Sequence, residues 1–97
     1  MITENRKVCS KGERIREVLT NENFRAIMYS NMDEALLGIY RYNIQYPVAV
    51  YSLIKFIELL IKTRNFTEEQ AMIYFEENIM RRSGMDDSPI FIDDTGV

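Results

Sequence analysis

The chain has 97 residues, of which 46% are hydrophobic and 28% charged, and a net charge of −3. These are ordinary values for one small globular domain with a modest core, and they argue against wholesale disorder. There is no histidine and a single cysteine, Cys9. That excludes an intramolecular disulfide, serine–histidine and cysteine–histidine nucleophiles, and tetrahedral zinc held by this chain alone.

In chain order, residues 1–10 are mostly polar, without the basic-then-apolar pattern of a signal segment, and are expected to be flexible. Ser10 and Glu13 match a capping box, weakened by Gly12. Ile15, Val18 and Leu19 then fall on one helical face. Asn21-Glu22-Asn23 reads as a break or kink. Phe24, Ile27 and Met28 repeat the helical spacing, so a second short helix or a bent first one is expected, with a strand over Phe24–Tyr29 as the alternative. Ser30 to Asp33 is a turn.

Ala35 to Tyr42 alternates as a strand does, with Leu37 and Ile39 on one side and Leu36, Tyr40 and Tyr42 on the other. Gly38 inside it signals a bulge or a close backbone approach. Asn43 to Pro47 is a loop, and Val48–Tyr51 is a short buried strand that can pair with the first as an antiparallel hairpin. Ser52 caps a helix over Leu53–Thr63. Lys55, Glu58 and Lys62 give that helix one narrow polar stripe; the rest of its girth is apolar, which asks for cover on more than one side. A homodimer is one way to supply that cover.

Arg64-Asn65-Phe66 links to a second helix, Thr67 to Met80. It opens with a capping box between Thr67 and Gln70, and Glu68 and Glu69 suit its first turn. Ala71, Met72, Tyr74, Phe75 and Ile79 share its inner face. Asn78 falls among them, while Ile73 and Met80 fall outside among Glu69, Glu76 and Glu77. Arg81-Arg82-Ser83-Gly84 ends the helix. Pro89-Ile90-Phe91-Ile92 is a third strand. The expected fold is α+β, in the order α-β-β-α-α-β, with helices on one face of a small antiparallel sheet. One domain spans 11–93, and 94–97 is an acidic tail.

Several residues are candidates for function. Asn78 reads as a buried amide bonded to neighbouring backbone, or as a polar group lining a pocket. Arg81 and Arg82 read as helix-terminal cations, or as recognition groups for an anion or acidic partner. Tyr40, Tyr42 and Tyr46 cluster at the hairpin as packing residues or as a protein-binding surface. Ile73, Glu77 and Met80 extend such a surface on the second helix. The acids suit solvated faces better than a metal or paired-acid site, since neighbours on a helix point apart. Residues 1–30 carry six Lys/Arg against four acids, and residues 66–97 carry eight acids against Arg81 and Arg82. No concentrated basic stripe stands out, which argues against nucleic acid. No apolar run approaches the ~20 residues of a membrane span. No cofactor and no metal are expected.

A resemblance adds to this. Asp33-Glu34-Ala35-Leu36-Leu37-Gly38 precedes Val48-Ala49-Val50-Tyr51. Lys55, Ile57-Glu58 and Leu60 follow, then Thr67-Glu68-Glu69-Gln70-Ala71, Tyr74-Phe75-Glu76-Glu77-Asn78 and Ser88-Pro89-Ile90-Phe91-Ile92. Their order and spacing resemble a family of small uncharacterised proteins of tailed bacteriophages, over about Asp33 to Asp93. Two departures stand out: Glu77 replaces an aromatic of the family's Y-F-E-F-N helix, and Arg81 to Asp86 replaces a glycine-containing segment. The resemblance implies a viral origin and carries no activity. Together with the residue chemistry it leads to the expectation of a non-enzymatic accessory protein in the cytoplasm of an infected bacterium. Such a protein would bind and modulate a host or host-defence protein by contact. The alternative is a nucleotide-sequestering oligomer with Arg81, Arg82 and Asn78 as its polar groups.

Overall fold

The computed structural model describes residues 10–41, 46–82 and 86–96; the side chain of Arg82 is outside that description. The first helix, α1 (Lys11–Glu22), opens with the expected capping box. The Ser10 hydroxyl accepts from the Glu13 amide at 3.1 Å, and the Glu13 carboxylate accepts from the Ser10 amide at 3.0 Å. Ser10, expected in the flexible N-terminal segment, therefore belongs to the fold. Gly12 is buried, and a Cβ there would collide with the carbonyl oxygen of Asp33. The glycine lets α1 lie directly on a 3-10 turn, Asp33–Ala35.

The helix expected over Phe24–Met28 does not form, and neither does the alternative strand. Asn23 leaves helical conformation at φ −151°, ψ 91°. Its amide donates to the Pro47 carbonyl and to Asp87 Oδ1, both at 2.9 Å, and its side-chain oxygen accepts from the Arg25 amide at 3.1 Å. Three bonds to a buried amide compete successfully with another helical turn.

The strands are β1 (Leu36–Tyr40), β2 (Val48–Ser52) and β3 (Ile90–Ile92), in the sheet order β1-β2-β3. The class and the order α-β-β-α-α-β are as expected. The sheet is mixed, however: β1 and β2 are antiparallel, and β2 and β3 are parallel. Asp87, held by Asn23 beside Pro47, brings the chain back to the entry end of β2. β3 then starts opposite Val50, two residues into β2, and runs the same way.

β1 carries the irregularity expected at Gly38, between Leu36 and Gly38. It also overturns the expected faces. Leu36 pairs with Tyr51 and Ile39 with Ala49, so both face the core, while Leu37 is turned outward. Tyr51 in turn pairs with Phe91.

The helix α2 (Leu53–Arg64) is capped by Ser52, whose hydroxyl accepts from the Lys55 amide at 3.1 Å. Asp94, assigned to an acidic tail, is part of this junction. It accepts from the Ser52 hydroxyl at 2.7 Å and from the Ile54 amide at 3.1 Å. Phe56, Ile57, Leu59 and Leu60 are buried, and Ile54 alone among its large aliphatic residues is classed as exposed, at 37%. The sheet, the 3-10 turn and the next helix thus cover most of its apolar girth within one chain.

Asn65, at φ 61°, turns the chain into α3 (Glu68–Asn78). The Thr67–Gln70 capping box is complete. Ala71, Phe75 and Ile79 are buried. Asn78 is not: it is exposed, and its amide bends back to the Tyr74 carbonyl at 3.1 Å. It sits in the last turn, so the amide serves its own helix instead of facing the core. A second 3-10 turn, Met80–Arg82, follows.

The core between helices and sheet is built around rings. Phe56 meets Tyr29, Tyr51, Phe75 and Phe91 edge-on or nearly so, at 5.6, 5.5, 5.7 and 5.1 Å between centroids. Phe75 stands on Phe91 at 4.9 Å, and Tyr51 stacks on Phe91 at 5.3 Å. Each well-placed aromatic pair adds about 0.5–1.5 kcal/mol beyond area burial.

Candidate interaction surfaces

The register assigns every strand residue to a face. Leu36, Ile39, Ala49, Tyr51 and Phe91 all contribute to the core. On the other face lie Gly38 with Val50 and Ile90, Tyr40 with Val48, and Ser52 with Ile92. None of these belongs to the core cluster, although Val48 and Ser52 are buried. Apart from Ser52 and the Tyr40 hydroxyl, this outer face is apolar. Leu37 and Ile90 are each 38% exposed and Ile92 46%. A three-stranded sheet with helices on one side usually turns polar side chains to water on the other. This one turns isoleucine and leucine.

A second surface surrounds the Asn23 joint. Phe24, one residue on, is 83% exposed, far more than any other large apolar side chain described. Tyr46, beside the Pro47 carbonyl that Asn23 holds, is 49% exposed. Nearby, Arg41 and Glu22 form a two-bond ion pair at 2.9 and 2.6 Å, which holds the Glu22 carboxyl below its ordinary range.

The third surface is the outward side of α3. Ile73 is 48% and Met80 43% exposed. Glu69, Glu76, Glu77 and Arg81 are exposed around them, and no described ion pair engages any of the four. Phe75, on the opposite side of the helix, rests on Phe91, so this surface points away from the sheet.

An open concavity of about 650 Å³ lies between α1, the 3-10 turn and α2. Arg16 at its edge donates through Nε and Nη2 to Asp33 Oδ1, at 2.8 and 2.6 Å, and through Nη2 to the Tyr29 carbonyl at 2.9 Å. The Asp33 bond raises the Arg16 pKa above its ordinary value against a smaller burial effect. The Tyr29 amide donates to the Tyr51 hydroxyl at 2.9 Å, and burial pushes that phenol up. Arg16 is thus spent on architecture. Glu34 and Lys62 remain on the rim with opposite signs, and no single-sign field focuses a ligand.

The residues expected to bind a partner therefore divide. Ile73, Glu77, Met80 and Arg81 share the exposed side of α3 and its exit. Arg82 closes the second 3-10 turn. Tyr40 is half-buried on the outer sheet face, and Tyr46 belongs to the Asn23 joint. Tyr42, Ser83 and Gly84 lie outside the described residues. Asn78 is exposed, bonded to the Tyr74 carbonyl, and outside the concavity beside α1. Phe24, Leu37, Ile90 and Ile92 were not expected as surface residues. Phe24 reads as helical from spacing alone, Leu37 changes face through the irregularity, and Ile90-Phe91-Ile92 reads only as a strand, with neither face assigned to the surface.

Among the described residues no group of three His, Cys, Asp or Glu is placed to hold a metal ion, and no helix is long and apolar enough to cross a membrane. Comparison with protein-family models, curated proteins and solved structures finds no match.

Proposed function

We propose that this is a small phage-encoded accessory protein that binds a host or host-defence protein in the bacterial cytoplasm and acts by occupying its surface. The observation that carries the reading is the set of exposed aliphatic side chains on the outer side of the sheet. Leu37, Ile90 and Ile92 are exposed there and Val50 is half-buried between them, while Val48 and Ser52 on the same face are buried. Burying such side chains is worth ~25 cal/mol per Å², and contiguous apolar patches mark contact surfaces. Phe24 adds an aromatic anchor of the kind that dominates binding energy. The nucleotide-sequestering alternative has less support, because the exposed Asn78 amide is taken up by the Tyr74 carbonyl of its own helix.

Affinity capture from bacterial lysates with and without defence systems tests the reading. The native chain should retain one partner stoichiometrically, and Ile90→Lys/Ile92→Lys should lose it while keeping the native circular dichroism. No partner in any background, or equal capture by the folded variant, refutes it.

A further inference from the structure

The exposed sides of α1 and α3 are complementary to each other. On α1, Lys11, Arg14 and Val18 follow at i, i+3 and i+7, which places them along one flank. All three are exposed, Val18 at 39%. Glu17 is exposed beside Arg14 at i+3, with Glu13 beyond it, and Glu22 is already neutralised by Arg41. No described ion pair takes Lys11 or Arg14. On α3 the order is acid, apolar, acid, apolar: Glu69, Ile73, Glu76 with Glu77, then Met80. One helix therefore offers two cations and an aliphatic group along a flank. The other offers acids alternating with apolar groups at i, i+4, i+7 and i+11.

Within one molecule these stripes are kept apart. α1 packs on β1 and α3 on Phe91 of β3, at the two ends of the sheet, with α2 over β2 between them. Two copies stacked helix layer to helix layer about a two-fold axis would bring each α1 to the other's α3. We infer that the chain forms a symmetric dimer in which the Lys11–Arg14–Val18 flank of each α1 docks on the Glu69–Ile73–Glu76–Met80 side of the partner's α3.

The helical part of the stripe, Glu69 to Asn78, is about 15 Å long at 1.5 Å per residue, and Met80 extends it into the 3-10 turn. A single contact of that length falls well short of the ~800 Å² per partner of a stable interface. Two-fold closure forms it twice and adds the facing α2 helices, whose outward sides carry Lys55, Glu58 and Lys62. The association is expected to be weak, and salt-sensitive because its charges are solvent-exposed. The dimer goes beyond the proposed function, since it leaves both outer sheet faces free.

Sedimentation equilibrium on the whole chain at up to ~200 μM tests it. In ~0.02 M salt the mass should approach twice the 11.5 kDa of the monomer; in ~0.5 M salt it should return toward the monomer. Lys11→Glu/Arg14→Glu and Glu76→Lys/Glu77→Lys should each weaken association by about tenfold or more. Mixing the two variants should restore it, because one of the two contacts then regains opposite charges and the other is native. A monomer under all conditions overturns the dimer, as does association indifferent to both reversals or a mixture no stronger than its parts. A dimer lost on Ile90→Lys/Ile92→Lys instead assigns the contact to the sheet face and also overturns it. Host-partner capture is read separately, so either idea can fail alone.

Discussion

Gly12 shows how one missing atom sets the position of a helix. In an exposed helix interior, Gly→Ala ordinarily stabilises by about 0.5–1 kcal/mol. Here the new Cβ would meet the Asp33 carbonyl oxygen and carbon, which are backbone and cannot swing aside. The helix would have to lift from the 3-10 turn, loosening the Arg16–Asp33 bonds of 2.8 and 2.6 Å. Overpacking of this kind costs about 1–3 kcal/mol, so the clash outweighs the propensity. Gly12→Ala is expected to lower the urea midpoint, while Thr20→Ala on the exposed side of the same helix should not. A raised midpoint for Gly12→Ala would mean that α1 is not seated on Asp33.

At the scale of elements, the junction between β2 and α2 couples the start of a helix to the end of the chain. Asp94 accepts from the Ser52 hydroxyl and the Ile54 amide, and these bonds hold its carboxyl below the ordinary aspartate range. A carboxyl with a lowered folded-state pKa contributes stability at pH above its unfolded-state value. That contribution is lost as pH falls through the lowered value. The junction should therefore be intact at neutral pH and loosen only in acid, below the usual range for aspartate. Carbon-detected NMR titration should place Asp94 below an exposed aspartate, with Ser52→Ala moving it back up. An Asp94 that titrates normally in the native chain would remove the junction from the fold.

The same scale shows what the sequence could disclose. Both capping boxes, the Ser52 cap and the hairpin rest on neighbours within a few positions, where local chemistry decides conformation. The failures are all long-range. Asn23 ends α1 because Pro47 and Asp87 are there to receive its amide, and nothing near Asn23 in the chain announces them. The parallel entry of β3 depends on the same joint. Leu37 changed sides because a strand irregularity shifts the alternation by one position. Asn78 was misplaced because a helical wheel has no ends. The exposure of Ile73 and Met80 was legible, since an apolar residue among three glutamates has no inner face to join. Phe24, Ile90 and Ile92 were hidden by patterns that fit burial equally well.

For the whole molecule, the arrangement is a layer of helices, a core of interlocking rings and a sheet with aliphatic side chains exposed on its back. The sheet back is apolar and the helical layer is charged, so the two sides suit different contacts: desolvated and weakly salt-dependent on one, electrostatic on the other. A dimer joined through its helices would present two sheet backs facing outward. A target with two equivalent sites would then be held with avidity that neither site supplies alone.

Parallel pairing of β2 and β3 also sets an order of events in time. Val50 and Ile90 are 40 positions apart in the chain, whereas the β1–β2 hairpin and the α2–α3 pair close over short connections. Loop-closure entropy must be met before a distant contact returns anything. β3 is therefore expected to dock after the rate-limiting step, onto a nucleus already formed by β2 and α2. Phe91→Leu, which thins the contacts with Tyr51, Phe56 and Phe75, should then accelerate unfolding and leave refolding nearly unchanged, giving a φ-value near zero in stopped-flow chevrons. A φ-value near one would place the C-terminal strand in the nucleus. If β3 docks last, it is also the first strand to leave. The apolar back of the sheet would then come apart first at its β3 edge, drawing Phe91 out of the ring core with it, and partner binding would slow that first step of unfolding.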